Sequence, residues 1–190
     1  MPLVNPNLYV LSGGPGSGKT TLLKELATLG VPHLPEVARQ VIQEQVQAGG
    51  TALPWDDRAA FTDLMLQRSI ESYLRQPSLS TPVFADRGIP DTLGYARLIG
   101  LPDTCAIEDA CERYRYAPLV FLAPPWKDIY ATDTERKQDF AEAERTFDVI
   151  AQVYRELGYQ LCELPKLPPR ARAQFVREQL PRSADKLNGA

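Results

Sequence analysis

Leu8-Tyr9-Val10-Leu11-Ser12-Gly13-Gly14-Pro15-Gly16-Ser17-Gly18-Lys19-Thr20-Thr21 opens on four apolar residues and runs into a glycine-rich octet. The apolar run suits a parallel strand covered on both faces. Thr20 to Leu29 follows with Leu22, Leu23, Leu26 and Leu29 on one side, and Gly30 stops it, so it reads as a helix. Strand, glycine loop and helix thus form one unit.

The same alternation continues outward. Val31–Leu34 reads as a short second strand and Val37–Gln47 as a helix ended by Gly49-Gly50. Pro54 to Asp57 opens a long helix to about Gln76, with Asp56 or Asp57 near its cap. Pro82–Ala85 reads as the third strand, ending at Asp86, and Pro90–Ile99 and Ile107–Arg115 as helices. Leu119–Leu122 is the fourth strand, Phe140–Leu157 a helix closed by Gly158, Gln160–Leu164 the fifth strand, and Pro168–Leu180 the last helix. Short strands alternating with helices are the mark of an α/β fold: three layers, α/β/α, around a five-stranded parallel sheet. The expected organisation is one domain over residues 1–180 and a loose tail over 181–190.

Composition narrows the classes. A chain of 190 residues is about one domain by the prior of about 150 residues each. Hydrophobic residues at 44% and charged residues at 24% are ordinary for a globular protein and exclude disorder as the main state. The net charge of −3 weighs against a general nucleic-acid binder. No apolar run approaches the roughly 18 residues of a membrane span. The first basic residue is Lys19, so no signal peptide is expected, and a cytoplasmic location follows as the expectation. Cys105, Cys111 and Cys162 fit no zinc or C-x-x-C spacing and read as reduced thiols. His33 is the one histidine, which makes a Ser-His-Asp triad improbable. Chemistry must then come from carboxylates, lysines, arginines and backbone amides.

Gly13 to Thr20 matches G-x-x-x-x-G-K-[ST] at every position, in the strand-to-helix context that the motif requires. Glycines let the chain wrap so that successive N–H groups converge on phosphate oxygens, and the helix N-terminus adds its positive end. The expected nucleotide contacts are Gly13, Gly14, Pro15, Gly16, Ser17, Gly18, Lys19, Thr20 and Thr21. Lys19 is expected on the β- and γ-phosphates and the Thr20 hydroxyl on Mg²⁺. ATP is preferred over GTP because no N-K-x-D stretch occurs, and Asp91-Thr92-Leu93-Gly94 fits D-x-x-G only by letters, inside a helix.

In open parallel sheets, ligands sit beyond the carboxyl ends of the strands. Asp86 stands at that edge, placed either to hold Mg²⁺ or to take a proton from a substrate hydroxyl. Arg87 beside it suits a phosphate or substrate anion; the competing reading is a capping aspartate and a surface arginine. Glu36 closes the second strand with Arg39 one turn on, placed to activate an acceptor hydroxyl or merely to satisfy the helix dipole. The polar segment Trp126–Gln138, holding Lys127, Asp133, Arg136 and Lys137, reads as a lid in which Arg136 could fork a transferring phosphoryl group. Arg145 is a second candidate. An acceptor pocket is expected between Glu36, Asp86 and the long helix from Asp57, with Trp55, Phe61 and Tyr95 as stacking groups. Lys166, Arg170, Arg172, Arg177, Arg182 and Lys186 outnumber Glu178 and Asp185 near the C-terminus, which reads as a solvated helix face or a patch for anionic partners.

On Gly13–Thr20, Glu36 with Arg39, Asp86-Arg87-Gly88, and Asp133 with Arg136, the chain resembles the small P-loop kinases related to nucleotide and deoxynucleoside kinases. More narrowly, it is similar to the NadR-type AAA domain group, which includes ribosylnicotinamide kinase domains. The resemblance spans about residues 7–165. It implies a sheet ordered 2-3-1-4-5 and a lid around Arg136. It implies Glu36 as the base toward an acceptor hydroxyl, and Mg²⁺ and phosphate roles for Asp86 and Arg87. The reading is a Mg²⁺-dependent ATP kinase for a nucleoside- or nucleotide-like small molecule. A regulatory ATPase or GTPase switch, and an anionic-ligand or lipid-binding module, are the alternatives.

Overall fold

The computed structural model describes residues 1–76, 80–130 and 140–181. Along the chain run β1 (Leu3–Val4), β2 (Leu8–Gly13), α1 (Lys19–Thr28), β3 (His33–Leu34), α2 (Val37–Ala48) and α3 (Arg58–Leu74). Then come β4 (Val83–Asp86), α4 (Ile89–Ile99), α5 (Cys105–Arg113), β5 (Tyr114–Arg115) and β6 (Leu119–Ala123). A 3₁₀ turn (Lys127–Ile129), α6 (Phe140–Glu156), β7 (Gln160–Glu163) and α7 (Pro169–Gln179) complete the described chain. The main sheet has five parallel strands ordered β3-β4-β2-β6-β7. Counted along the chain, that is 2-3-1-4-5, the order that the resemblance implied.

β2 is buried at all six positions because helices cover both of its faces. Leu8, Val10, Val83, Ala85, Val120 and Leu122 pack with residues of α3, α4, α5 and α6. The alternate positions Tyr9, Leu11, Phe84, Phe121 and Ala123 pack with residues of α1 and α7. Side chains alternate faces along a strand, so continuous apolar runs are what a doubly covered sheet needs. A smaller cluster of Val41, Ile42, Leu53, Phe61 and Met65 joins α2 to α3 beside the sheet edge.

Two expectations are corrected. The Ile107–Arg115 helix ends at Arg113, and Tyr114-Arg115 instead pair in parallel with Leu3-Val4. The buried Tyr73 hydroxyl points at both Leu3 O (2.8 Å) and Arg115 O (2.9 Å), tying this small sheet to α3. The long helix begins at Arg58, and Asp57 caps it as expected, its carboxylate accepting the Ala60 N–H at 2.9 Å. Arg172 lies inside the fold, only 3% exposed, and not on a solvated face. Asp133, Arg136 and Lys137 of the expected lid, and residues 182–190 of the expected tail, lie outside the described residues. Among the described residues, no helix is long and apolar enough to cross a membrane.

Phe121 is fully buried between Phe84, at a ring-centroid distance of 5.6 Å, and Tyr9 at 6.4 Å. Phe121→Ala is expected to destabilise the fold by about 3–5 kcal/mol. Asp57→Ala removes one cap and is expected to cost about 1 kcal/mol. Urea unfolding of both variants checks the order of the two effects.

Candidate active site

The glycine-rich loop leaves β2 where that strand is flanked by β4 and β6. Gly13 has φ 132°, and a Cβ there would collide with the Ala123 carbonyl of the adjacent strand. Only glycine lets the loop start this close to its neighbour. The loop then closes on its own lysine. Lys19 Nζ donates to Gly14 O at 2.6 Å, Gly13 O at 3.2 Å and Ser17 Oγ at 3.2 Å. Ser17 Oγ in turn donates to Gly14 O at 2.8 Å. Lys19 is buried, while Thr20 and Thr21 are exposed on the first turn of α1. Such a wrap, running into a helix N-terminus, has the geometry of an anion-binding nest.

One strand over, Asp86 ends β4 opposite Leu11 of β2 and is 6% exposed. Arg87 next to it is the one non-glycine residue with positive φ (71°) among the described residues. This left-handed conformation costs on the order of 1–2 kcal/mol and needs compensation. Arg87 N–H donates to Leu11 O at 3.1 Å. Its guanidinium donates to Glu36 Oε1 at 3.0 Å and to Asp91 Oδ1 at 3.1 Å. Burial works to lower the Arg87 pKa, but Glu36, Asp91 and Asp86 outweigh it and raise the pKa overall. Arg87 is therefore a paired cation, its side chain only 16% exposed, and the reading of it as a surface arginine is corrected.

Asp91 is the residue that sequence reasoning passed over. Besides Arg87, its carboxylate accepts the Gly88 N–H at 2.8 Å, the Tyr154 hydroxyl at 2.7 Å and the Ser12 hydroxyl. Gly88 and Asp91, not Asp86, thus cap α4. The spacing of Gly88 and Asp91 around Pro90 was a visible capping signal. Nothing in the sequence announces Tyr154, which lies 63 residues away. Burial, and then the adjacent Asp91, raises the Tyr154 pKa well above the ordinary value, so its hydroxyl stays a donor.

Glu36 is the N-cap residue of α2, yet its side chain makes no cap hydrogen bond. It turns instead to Arg87 and, at 3.9 Å, to Arg39. Glu36 thus stands at the positive end of α2 and also pairs with Arg87, so both of its expected readings stay open on this geometry.

Glu36, Asp86, Arg87 and Asp91 line a cavity of about 740 Å³, together with Pro15 of the glycine-rich loop. Such a volume suits a small-molecule site. Trp55, Phe61 and Tyr95 supply aromatic wall, with Phe61 and Tyr95 edge to face at 5.6 Å. Trp55 is 57% exposed and stands at the rim. Arg58 and Glu142 add charge to the lining. Lys127 and Arg145 do not line the cavity. Arg136 lies outside the described residues.

Residues 8–172 match the AAA domain family. Adenylate kinase of Chlamydia caviae is 30% identical over 101 residues, 51% of this chain and 47% of that protein. The chain thus spans about half the length of the curated relative it matches. Among solved structures, the NadR protein in complex with NR matches with a TM-score of 0.70 at 19% identity, over 92% of this chain and 51% of that one. Deoxyadenosine kinase from M. mycoides matches with a TM-score of 0.63 at 12% identity, over 96% of this chain and 100% of that one. The family match runs from the first strand of the main sheet through the glycine-rich loop and the Asp86-Arg87 step to α7, and on it this chain belongs to the AAA domain family, with the fold of the P-loop kinases.

Proposed function

We propose that the protein is an ATP-dependent small-molecule kinase whose acceptor occupies the 740 Å³ cavity. One observation carries this reading: the phosphate-binding loop, through Pro15, and the carboxylates Glu36 and Asp86 border the same cavity. A phosphoryl donor and an acceptor hydroxyl can therefore meet at one edge of the sheet, where open α/β folds bind ligands. The adenylate kinase that the chain resembles in sequence and the deoxyadenosine kinase that it resembles in fold support the same class.

In this proposal, residues Gly13 to Thr21 cradle the triphosphate and Lys19 exchanges its loop carbonyls for β- and γ-phosphate oxygens. The acceptor hydroxyl oxygen bonds to the γ-phosphorus, the bond to the β–γ bridging oxygen breaks, ADP leaves, and the hydroxyl proton passes to Glu36. Arg87 orients Glu36 for that task through the 3.0 Å bond to Oε1. The Thr20 hydroxyl, on the first turn of α1, and the Asp86 carboxylate, at the end of β4, are hard oxygen donors of the kind that fits Mg²⁺. When bound there, the ion supplies charge neutralisation for the phosphates. Arg136 is the proposed lid cation on the transferring group.

The lining also bears on the acceptor. Glu36, Asp86, Asp91 and Glu142 face Arg58 and Arg87, and Arg87 is already held by Glu36 and Asp91. An acceptor that brings its own phosphate would meet excess negative charge. The aromatic wall suits a flat ring. A nucleoside-like compound with a free hydroxyl fits these walls better than a nucleotide.

The direct test is ATP consumption by the purified protein with Mg²⁺, with and without a deproteinised metabolite extract. Mass spectrometry then seeks a compound that gains one phosphoryl group. ADP release that no extract stimulates would remove the kinase reading. Lys19→Ala is expected to lower kcat by about 100- to 1,000-fold. Glu36→Gln is expected to keep ATP binding and lose about 100- to 10,000-fold in transfer; an unchanged kcat returns Glu36 to a structural role. Arg136→Ala is expected to lower kcat more than ATP affinity, and an effect on affinity alone would contradict the proposed transition-state contact.

A further inference from the structure

Arg172 is placed where a cation is hard to keep. It is 3% exposed and sits one turn into α7, near the positive end of that helix. Among the described residues it has no carboxylate partner. Its Nε has no hydrogen-bond partner, and burial lowers its pKa. An uncompensated buried charge costs several kcal/mol, so a fold keeps one where something else needs it. The one hydrogen bond of its guanidinium among the described residues is informative: Nη1 donates to Ser17 O at 3.0 Å, from 155 residues away in sequence. Ser17 and Gly18 are consecutive residues of the phosphate-binding loop.

Across a planar trans peptide, the C=O and the following N–H point in opposite directions. Holding the Ser17 carbonyl outward therefore turns the Gly18 N–H inward, among the amides that would receive phosphate oxygens. Gly18 itself has φ 78°, and a Cβ on it would lie 3.0 Å from Arg172 Nη1 and 3.1 Å from Ile129 Cδ1. The guanidinium thus presses on the outer face of the loop, and glycine is what admits it.

We propose that Arg172 is a positioning residue for the phosphate-binding loop: it fixes the Gly18 amide toward the ligand, and the phosphates of the bound nucleotide supply the counter-charge that its own surroundings lack. This rests on the reading of the loop as a nucleoside triphosphate site. Arg172 acts from behind the loop, so its effect follows the phosphates and not the base. Inorganic tripolyphosphate carries the phosphates alone and serves as the probe.

The experiment is calorimetric titration of wild type, Arg172→Met and Arg172→Lys with ATP and with tripolyphosphate, with thermal melting to show that each variant is folded. Loss of a charge-assisted hydrogen bond is expected to weaken both ligands in parallel, by about tenfold to hundredfold for Met and less for Lys. ATP weakened alone would mean a contact with the base and overturn the inference. So would unchanged tripolyphosphate binding by a folded Met variant. If the Met variant does not fold, the Lys variant decides, and unchanged tripolyphosphate affinity in it overturns the inference. Wild-type protein that binds neither ligand would overturn the nucleotide reading and this inference together. Wild-type binding with unaltered variants would overturn the inference alone.

Discussion

A guanidinium largely shielded from water has to be neutralised, and at Arg87 two carboxylates meet that need, Glu36 from the start of α2 and Asp91 from α4. Ser12 at the end of β2 and Tyr154 of α6 then donate their hydroxyls to Asp91 and hold it in place. Removing either carboxylate leaves the shielded cation with less compensation. The left-handed backbone at Arg87 is tolerated because these contacts over-determine it. The carboxyl edge of the sheet is thereby made rigid where the cavity begins, and a catalytic carboxylate placed there inherits that rigidity.

Arg87 and Arg172 make an instructive pair. Arg172 is buried and Arg87 largely shielded, and they solve the charge problem in opposite ways. Arg87 is ion-paired on two sides and lines the cavity. Arg172 has a single carbonyl and stands behind the loop. Between strand and helix, the loop itself holds Lys19 folded into its own carbonyls.

Much of the fold was legible in the sequence. Three apolar runs, Leu8–Leu11, Val83–Ala85 and Leu119–Ala123, form the central strands because a sheet covered on both faces favours apolar side chains on both sides of its central strands. The paired strands β1 and β5 were not legible. Two-residue strands carry no period, and their pairing depends on contacts as remote as Leu3 with Tyr114. The Glu36–Arg87 pairing was likewise invisible, although each residue had been singled out, because it joins positions 51 apart. Arg172 was misread because a basic residue near a terminus is ordinarily solvated, and only packing shows that this one is buried.

By itself, the sequence determined the phosphate-binding loop, the strand-helix alternation and the residues at the strand ends, since each depends on local spacing and backbone freedom. Tertiary structure alone decided which charges meet: Arg87 with Glu36 and Asp91, Tyr154 with Asp91, Arg172 with Ser17. The reason is physical. Loop and helix propensities act over a few residues, whereas burial and charge compensation are set by neighbours in space, which the chain brings together only once the sheet has formed.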